Sequence, residues 1–126
     1  AARAEELPEG TYLGTMGGKA AKYLLDEHRR GACGNMPACD IVDINARIWN
    51  LLEKGEQTAA EELYTRALPL TNMEYMYGHV LYKTVLKERG VIAHACVRTG
   101  GDNTLDEFDM LELRRILKTL EADFSV

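Results

Sequence analysis

Serine is nearly absent. The chain of 126 residues carries one, Ser125, next to its last residue. A serine hydrolase holds its nucleophile on a shaped turn beside a base, so that chemistry is nearly excluded. Long apolar runs are missing too: none nears the roughly 18 residues that cross a bilayer, and the N-terminus lacks the apolar core of a signal sequence. Basic blocks are absent; the longest are the pairs Arg29–Arg30 and Arg114–Arg115. With 20 acidic against 15 basic residues and a net charge of −5, the chain has no composition for nucleic-acid binding. Cysteine is sparse and odd in number (Cys33, Cys39, Cys96), which argues against a disulfide framework and for reduced thiols in the cytoplasm.

What remains is an ordinary globular composition, 46% hydrophobic and 28% charged. The length fits one domain that buries about two-thirds of its extended surface. It is too short for a complete (β/α)8 barrel of about 250 residues.

Along the chain, Ala1–Leu7 reads as the end of a helix, broken by Pro8-Glu9-Gly10. Its uncapped start suggests that the chain begins inside a larger element. Thr11–Leu13 is a short strand candidate ended by Gly14, and a small-residue loop runs to Gly18. Lys19–Arg30 is a helix with Ala20, Tyr23, Leu24 and Glu27 inward, ended by Gly31. Ala32–Met36 is a second strand candidate, broken by Pro37. Strand, loop, helix and strand within so few residues predict a βαβ unit with a parallel pair. From Asp40, which can cap a helix, Ile41, Ile44, Ile48, Leu51 and Leu52 form one apolar face up to Gly55.

Three further helices follow. One spans about Thr58–Leu68, with Leu63, Tyr64, Ala67 and Leu68 inward and Pro69 as terminator. The next spans about Asn72–Arg89, with Met73, Met76 or Tyr77, Val80, Leu81 and Val85 inward and Gly90 after it. Val91–Val97 is an extended connector and Thr99–Asn103 a polar loop. Thr104-Leu105-Asp106-Glu107 reads as a capping box opening a last helix through Phe108, Leu111, Ile116, Leu117 and Leu120.

The chemistry-bearing residues make no catalytic constellation. Gly14-Thr15-Met16-Gly17-Gly18-Lys19 follows a strand and opens a helix, where free N–H groups can hold an anion. Its glycine spacing is not that of a Walker A loop, and Ala20 stands where Ser or Thr would follow the lysine. The same residues also serve a tight turn needing positive φ. Cys33 and Cys39 are six apart, and His28, His79 and His94 lie on different elements, so neither a metal site nor a Cys–His pair is indicated; no metal and no cofactor are expected. Every lysine falls on a helix or in a polar turn, Lys83 being the least clear. Asp106/Asp109 and Glu61/Glu62 read as solvated faces. Tyr64, Tyr75, Tyr77, Tyr82, Met73 and Met76 read as core or subunit contact.

The stretch Tyr23–Pro37, YLLDEHRRGACGNMP, resembles the LLxxLxxGAxGxM(T/P) segment of the dihydrodipicolinate synthase / N-acetylneuraminate lyase family. Three stretches agree with it in order: Leu52–Tyr64 with the family's helix pair, Ala67-Leu68-Pro69-Leu70 with its xLPL turn, and Lys83–Ala93 with K..L..rGvIa. The resemblance covers essentially the whole chain. It implies an α/β fold, the C-terminal portion of a (β/α)8 TIM barrel. Residues 1–55 would be strands seven and eight with their helices, and residues 56–126 a three-helix extension.

The resemblance further implies a pyruvate-type Schiff-base lyase, aldolase or dehydratase acting on a small 2-oxo acid. In that frame the Schiff-base lysine, the proton-relaying tyrosine and the acid-recognising loop all precede residue 1. No catalytic residue is therefore assigned here. What carries over is the substrate rim: Gly14, Thr15, Met16, Gly17 and Gly18 after one strand, and Asn35, Met36, Pro37 and Ala38 after the other. Sialic-acid-cleaving members place acidic residues in the first loop. Gly17, Gly18 and Lys19 stand there instead and suit a smaller or anionic substrate, such as a 2-keto-3-deoxy sugar acid. Part of a barrel leaves sheet edges and an apolar face open, so the expected partner is a second copy or the N-terminal barrel portion. The alternative is a non-catalytic helical interaction module derived from such a barrel.

Overall fold

The computed structural model describes residues 6–16, 21–98 and 104–125. After a turn closed by Thr11 N–H donating to the Pro8 carbonyl (3.1 Å), the elements are β1 (Gly14–Thr15), α1 (Leu24–Arg29), β2 (Gly34–Asn35), a 3-10 turn (Cys39–Ile41), α2 (Val42–Glu53), α3 (Gln57–Tyr77), α4 (His79–Glu88), α5 (Glu107–Leu120) and a 3-10 turn (Glu121–Asp123). β1 and β2 are parallel, with Gly14 opposite Gly34 and Thr15 opposite Asn35. Cys33 N–H to the Leu13 carbonyl (2.8 Å) and Met36 N–H to the Thr15 carbonyl (2.9 Å) extend the pairing. The βαβ unit is present, but its first strand starts at Gly14, where the sequence reading ended it.

The isoleucine stripe folds as its spacing requires. Ile41 of the 3-10 turn and Ile44 and Ile48 of α2 are fully buried, in one core with Ala60, Leu63, Ala67, Leu70 and Met73 of α3. Leu81 and Val85 of α4 and Leu113, Ile116 and Leu120 of α5 close the same core, with Ala21 and Leu24 at its other end. Among the described residues the fold is mostly helical, with one small parallel sheet.

Several expectations need correction. α1 is shorter than Lys19–Arg30; Ala1–Glu5, Lys19, Ala20 and Thr99–Asn103 lie outside the described residues, and Tyr23 is exposed rather than inward. Pro69 does not end a helix: α3 runs through it to Tyr77. Proline removes one N–H and frees the carbonyl four residues back. Pro69 and Thr65 are both exposed, so water can take that carbonyl, while Ala67 and Leu70 hold the helix on its buried side. The capping box is Asp106 with Asp109, not Thr104 with Glu107: Asp109 N–H donates to Asp106 Oδ1 (2.9 Å) and Asp106 N–H to Asp109 Oδ2 (3.0 Å). On α5 it is Leu113, with Ile116 and Leu120, that is buried, while Phe108 and Leu111 are exposed.

The break that Pro69 does not make falls at Gly78, with φ +57° and ψ −128°, a conformation open to glycine and strained for other residues. Space around it is free, since an added Cβ meets nothing within 4 Å. Gly78→Ala therefore tests backbone strain alone. It should cost about 1–3 kcal/mol in denaturant unfolding, and an unchanged midpoint would show that the α3–α4 junction tolerates a side chain.

Candidate functional site

Thr15 and Asn35, two of the residues expected at a substrate rim, meet where the two strands end. Thr15 Oγ1 donates to the Gly34 carbonyl (3.2 Å), and the Asn35 amide Nδ2 donates to Thr15 Oγ1 (3.3 Å) and to Glu27 Oε2 of α1. Three polar side chains from β1, β2 and α1 thus fix the register at the strands' C-terminal ends. That is where parallel α/β folds build their sites. Gly14, Thr15 and Asn35 sit in the strands themselves. Met16 and Met36 follow them, exposed, with Pro37 and Ala38 half-buried next in the chain. Gly17 and Gly18 lie outside the described residues.

A cavity of about 290 Å³ opens between β2 and α2, lined by Cys33, Asn35, Pro37, Asn45 and Trp49 among others. Asn35 Oδ1 and Asn45 Nδ2 are buried there without partners, one acceptor and one donor. A second cavity of about 320 Å³ lies between β1 and α1, lined by Leu13, Thr15, Tyr23, Glu27 and Arg30 among others. Asp26 and Arg30 pair beside it at 2.7 Å, and this hydrogen bond holds the Asp26 carboxyl below its usual range. Behind the rim, His28 Nε2 meets Glu53 Oε1 (2.8 Å), and its ring stands edge-on to Trp49 at 5.0 Å, tying α1 to α2.

Among the described residues, no group of three His, Cys, Asp or Glu could hold a metal ion. The three thiols are unpaired and exposed. Lys83 donates to the Cys96 backbone carbonyl. The tyrosine and methionine set divides: Met73 is core, Tyr64 and Tyr77 pack against it, and Tyr75 and Met76 are exposed.

Two acidic sites escaped the sequence reading. Asp40 does not cap α2; its side chain is fully buried beside that of Glu74, fully buried in α3. Asp43, one turn on, receives both terminal nitrogens of Arg89, with the Ser125 N–H (2.9 Å) and hydroxyl (3.2 Å) on the same carboxylate. Arg89 also donates to the Asp40 carbonyl and lies 4.0 Å from the Phe124 ring centre. Next to it, Asp123 bridges Arg47 of α2 (2.9 Å) and Arg66 of α3 (2.6 Å). Ion-pair partners so far apart in sequence leave no local pattern, so only the fold reveals them.

No family model and no curated protein matches the chain. Among solved structures, dihydrodipicolinate synthase from Rhodopseudomonas palustris is similar, with a TM-score of 0.69 and 29% sequence identity. The match covers 79% of this chain and 34% of that one, so the chain spans about a third of that enzyme's length. The resemblance carried by YLLDEHRRGACGNMP is thus matched by structure. The chain fits a C-terminal fragment of that lyase family, with a helical body and a parallel strand pair that suit part of a barrel. No helix among the described residues is long and apolar enough to cross a membrane.

Proposed function

We propose that the chain is the C-terminal part of a pyruvate-type Schiff-base lyase, an aldolase or dehydratase acting on a small 2-oxo acid in the cytoplasm. Its own contribution is the far wall of the site. Gly14–Gly18 and Asn35–Ala38 line the mouth of the barrel, residues 1–55 complete it, and residues 56–126 form the helical extension. The observation that carries this reading is the parallel pairing of Thr15 with Asn35, with the family segment leading straight into the second strand. Exposed Tyr12, Met16, Tyr23 and Met36 around the two-stranded sheet support it, because a sheet edge with an apolar surround is completed by further strands. The favoured partner is therefore the N-terminal barrel portion, ahead of a second copy. The loop after the first strand reads Gly17-Gly18-Lys19 where sialic-acid-cleaving relatives place acidic residues, which favours a 2-keto-3-deoxy sugar acid over a sialic acid.

Borohydride reduction in the presence of pyruvate tests the chemistry. On the longest chain that the natural reading frame encodes, a stable lysine adduct is expected by mass spectrometry; on residues 1–126 alone, none. Absence of an adduct on the long chain would remove the lyase reading and leave the non-catalytic module.

A further inference from the structure

The deepest charge in the described structure lies outside the rim. Asp40 sits in the 3-10 turn that follows the Met36–Ala38 loop, and Glu74 near the end of α3; both are fully buried. Their carboxyl groups lie against each other, and none of the four oxygens meets a donor from elsewhere in the protein. Arg89 reaches Asp40 through the backbone carbonyl and places its terminal nitrogens on Asp43 of α2. Besides Arg89, the titratable groups facing the pair are Asp43 of α2 and Tyr82 of α4, neither of them a cation.

Two carboxylates in contact and out of water cannot both stay ionised: each loses hydration and repels the other. Burial first, then the charge of Asp40 and the hydrogen bond with it, push Glu74 up to about 10. Burial also raises Asp40, as does the nearby Asp43 charge, against the opposing effects of the Glu74 hydrogen bond, its own backbone N–H and the Arg89 charge. A proton placed between them turns an unpaired couple into a charge-assisted hydrogen bond, the strong kind. We propose that Asp40 and Glu74 share one proton at neutral pH, and that this proton latches the Cys39–Ile41 turn, and with it the Met36–Ala38 loop, onto α3. This latch belongs to the chain's own packing and does not depend on the lyase reading.

The sign of its pH dependence follows from linkage. Glu74 in the folded chain keeps a proton that the unfolded chain, titrating near 4.5, has released. The latch contributes in full below that value, weakens as pH rises, and is spent once pH passes about 10. One proton of difference multiplies the unfolding constant about tenfold per pH unit within that window.

Infrared spectroscopy of the chain at about pH 8 reads the proton directly. A protonated carboxylic-acid band is expected in the native chain and should vanish in Glu74→Gln. Amide exchange at Met36 and at Ala38–Ile41 should quicken as pH rises towards 10, beyond base catalysis seen in α5, and should lose this excess in Glu74→Gln, whose amide supplies a permanent donor. All side-chain carboxyls ionised at pH 8 in the native chain would overturn the proposal whether or not the variant folds. Stabilisation by sodium, potassium, magnesium or calcium without a protonated band would also overturn it and assign the pair to a cation.

Discussion

Arg89→Ala should destabilise the chain by about 3 kcal/mol, the lower end of the cost of breaking a buried ion pair from one side. The Arg89 side chain is 6% exposed and that of Asp43 13%. Arg89 follows α4 directly, and its guanidinium joins α4 to α2 through Asp43, to the 3-10 turn through the Asp40 carbonyl, and to the C-terminal segment through Phe124. Alanine strands the Asp43 carboxylate with the Ile44 N–H and the Ser125 donors only. The pH profile separates this effect from lost packing. Burial raises Asp43, but the Arg89 hydrogen bonds, with those from Ser125 and Ile44, outweigh it and hold the group below its usual range. A depressed folded pKa contributes stability that is present above the unfolded value, about 3.9, and is lost as pH falls through the folded one. Native and variant stabilities should therefore converge in acid and diverge by neutral pH, as read from urea unfolding. Parallel pH profiles would show that Arg89 acts by packing alone.

Leu70→Ala should cost about 2–5 kcal/mol, the range for truncating a fully buried leucine. Leu70 is 0% exposed and stands immediately after Pro69, where α3 has given up one backbone hydrogen bond. The same side chain that fills the core thus also holds the weakest turn of the longest helix. Amide protection in the turn around Thr65–Met73 should fall along with global stability. Leu68→Ala, on the half-buried side, serves as the control. Equal losses at both positions would mean that α3 is not anchored by this face.

These two sites mark the limits of what was legible in the sequence. The α2 stripe was legible because Ile41, Ile44 and Ile48 repeat at helical spacing and all end fully buried. The parallel strand pair was legible through turn residues and the family segment, although each strand is too short to show a period. Pro69 misled because a proline's local rule concerns one hydrogen bond, whereas its cost is offset by packing on the opposite side of the helix. Phe108 and Leu111 are exposed because they stand off the face that Leu113, Ile116 and Leu120 share at i, i+3 and i+7. Thr15 and Asn35 stand in the sequence after the two strand candidates and meet in the fold, whereas Glu27, which clasps Asn35, shows in sequence only as an inward helix residue. The Asp40–Glu74 pair could not be read at all. Nothing in a linear pattern distinguishes a helix-capping aspartate from one turned inward onto a residue 34 positions away, as the numbering places Glu74.

The contacts of Asp123, Phe124 and Ser125 bear on the order in which the chain assembles. Ser125 meets Asp43 across 82 positions, and Asp123 meets Arg66 across 57. Closing loops of that length is slow relative to the local pairing of α2 with α3. The helix pair can therefore form while Asp43, Arg47 and Arg66 still await their distant partners. On the ribosome they must wait until Asp123 and Ser125 have been made, which leaves a charged, half-built surface that discourages premature association.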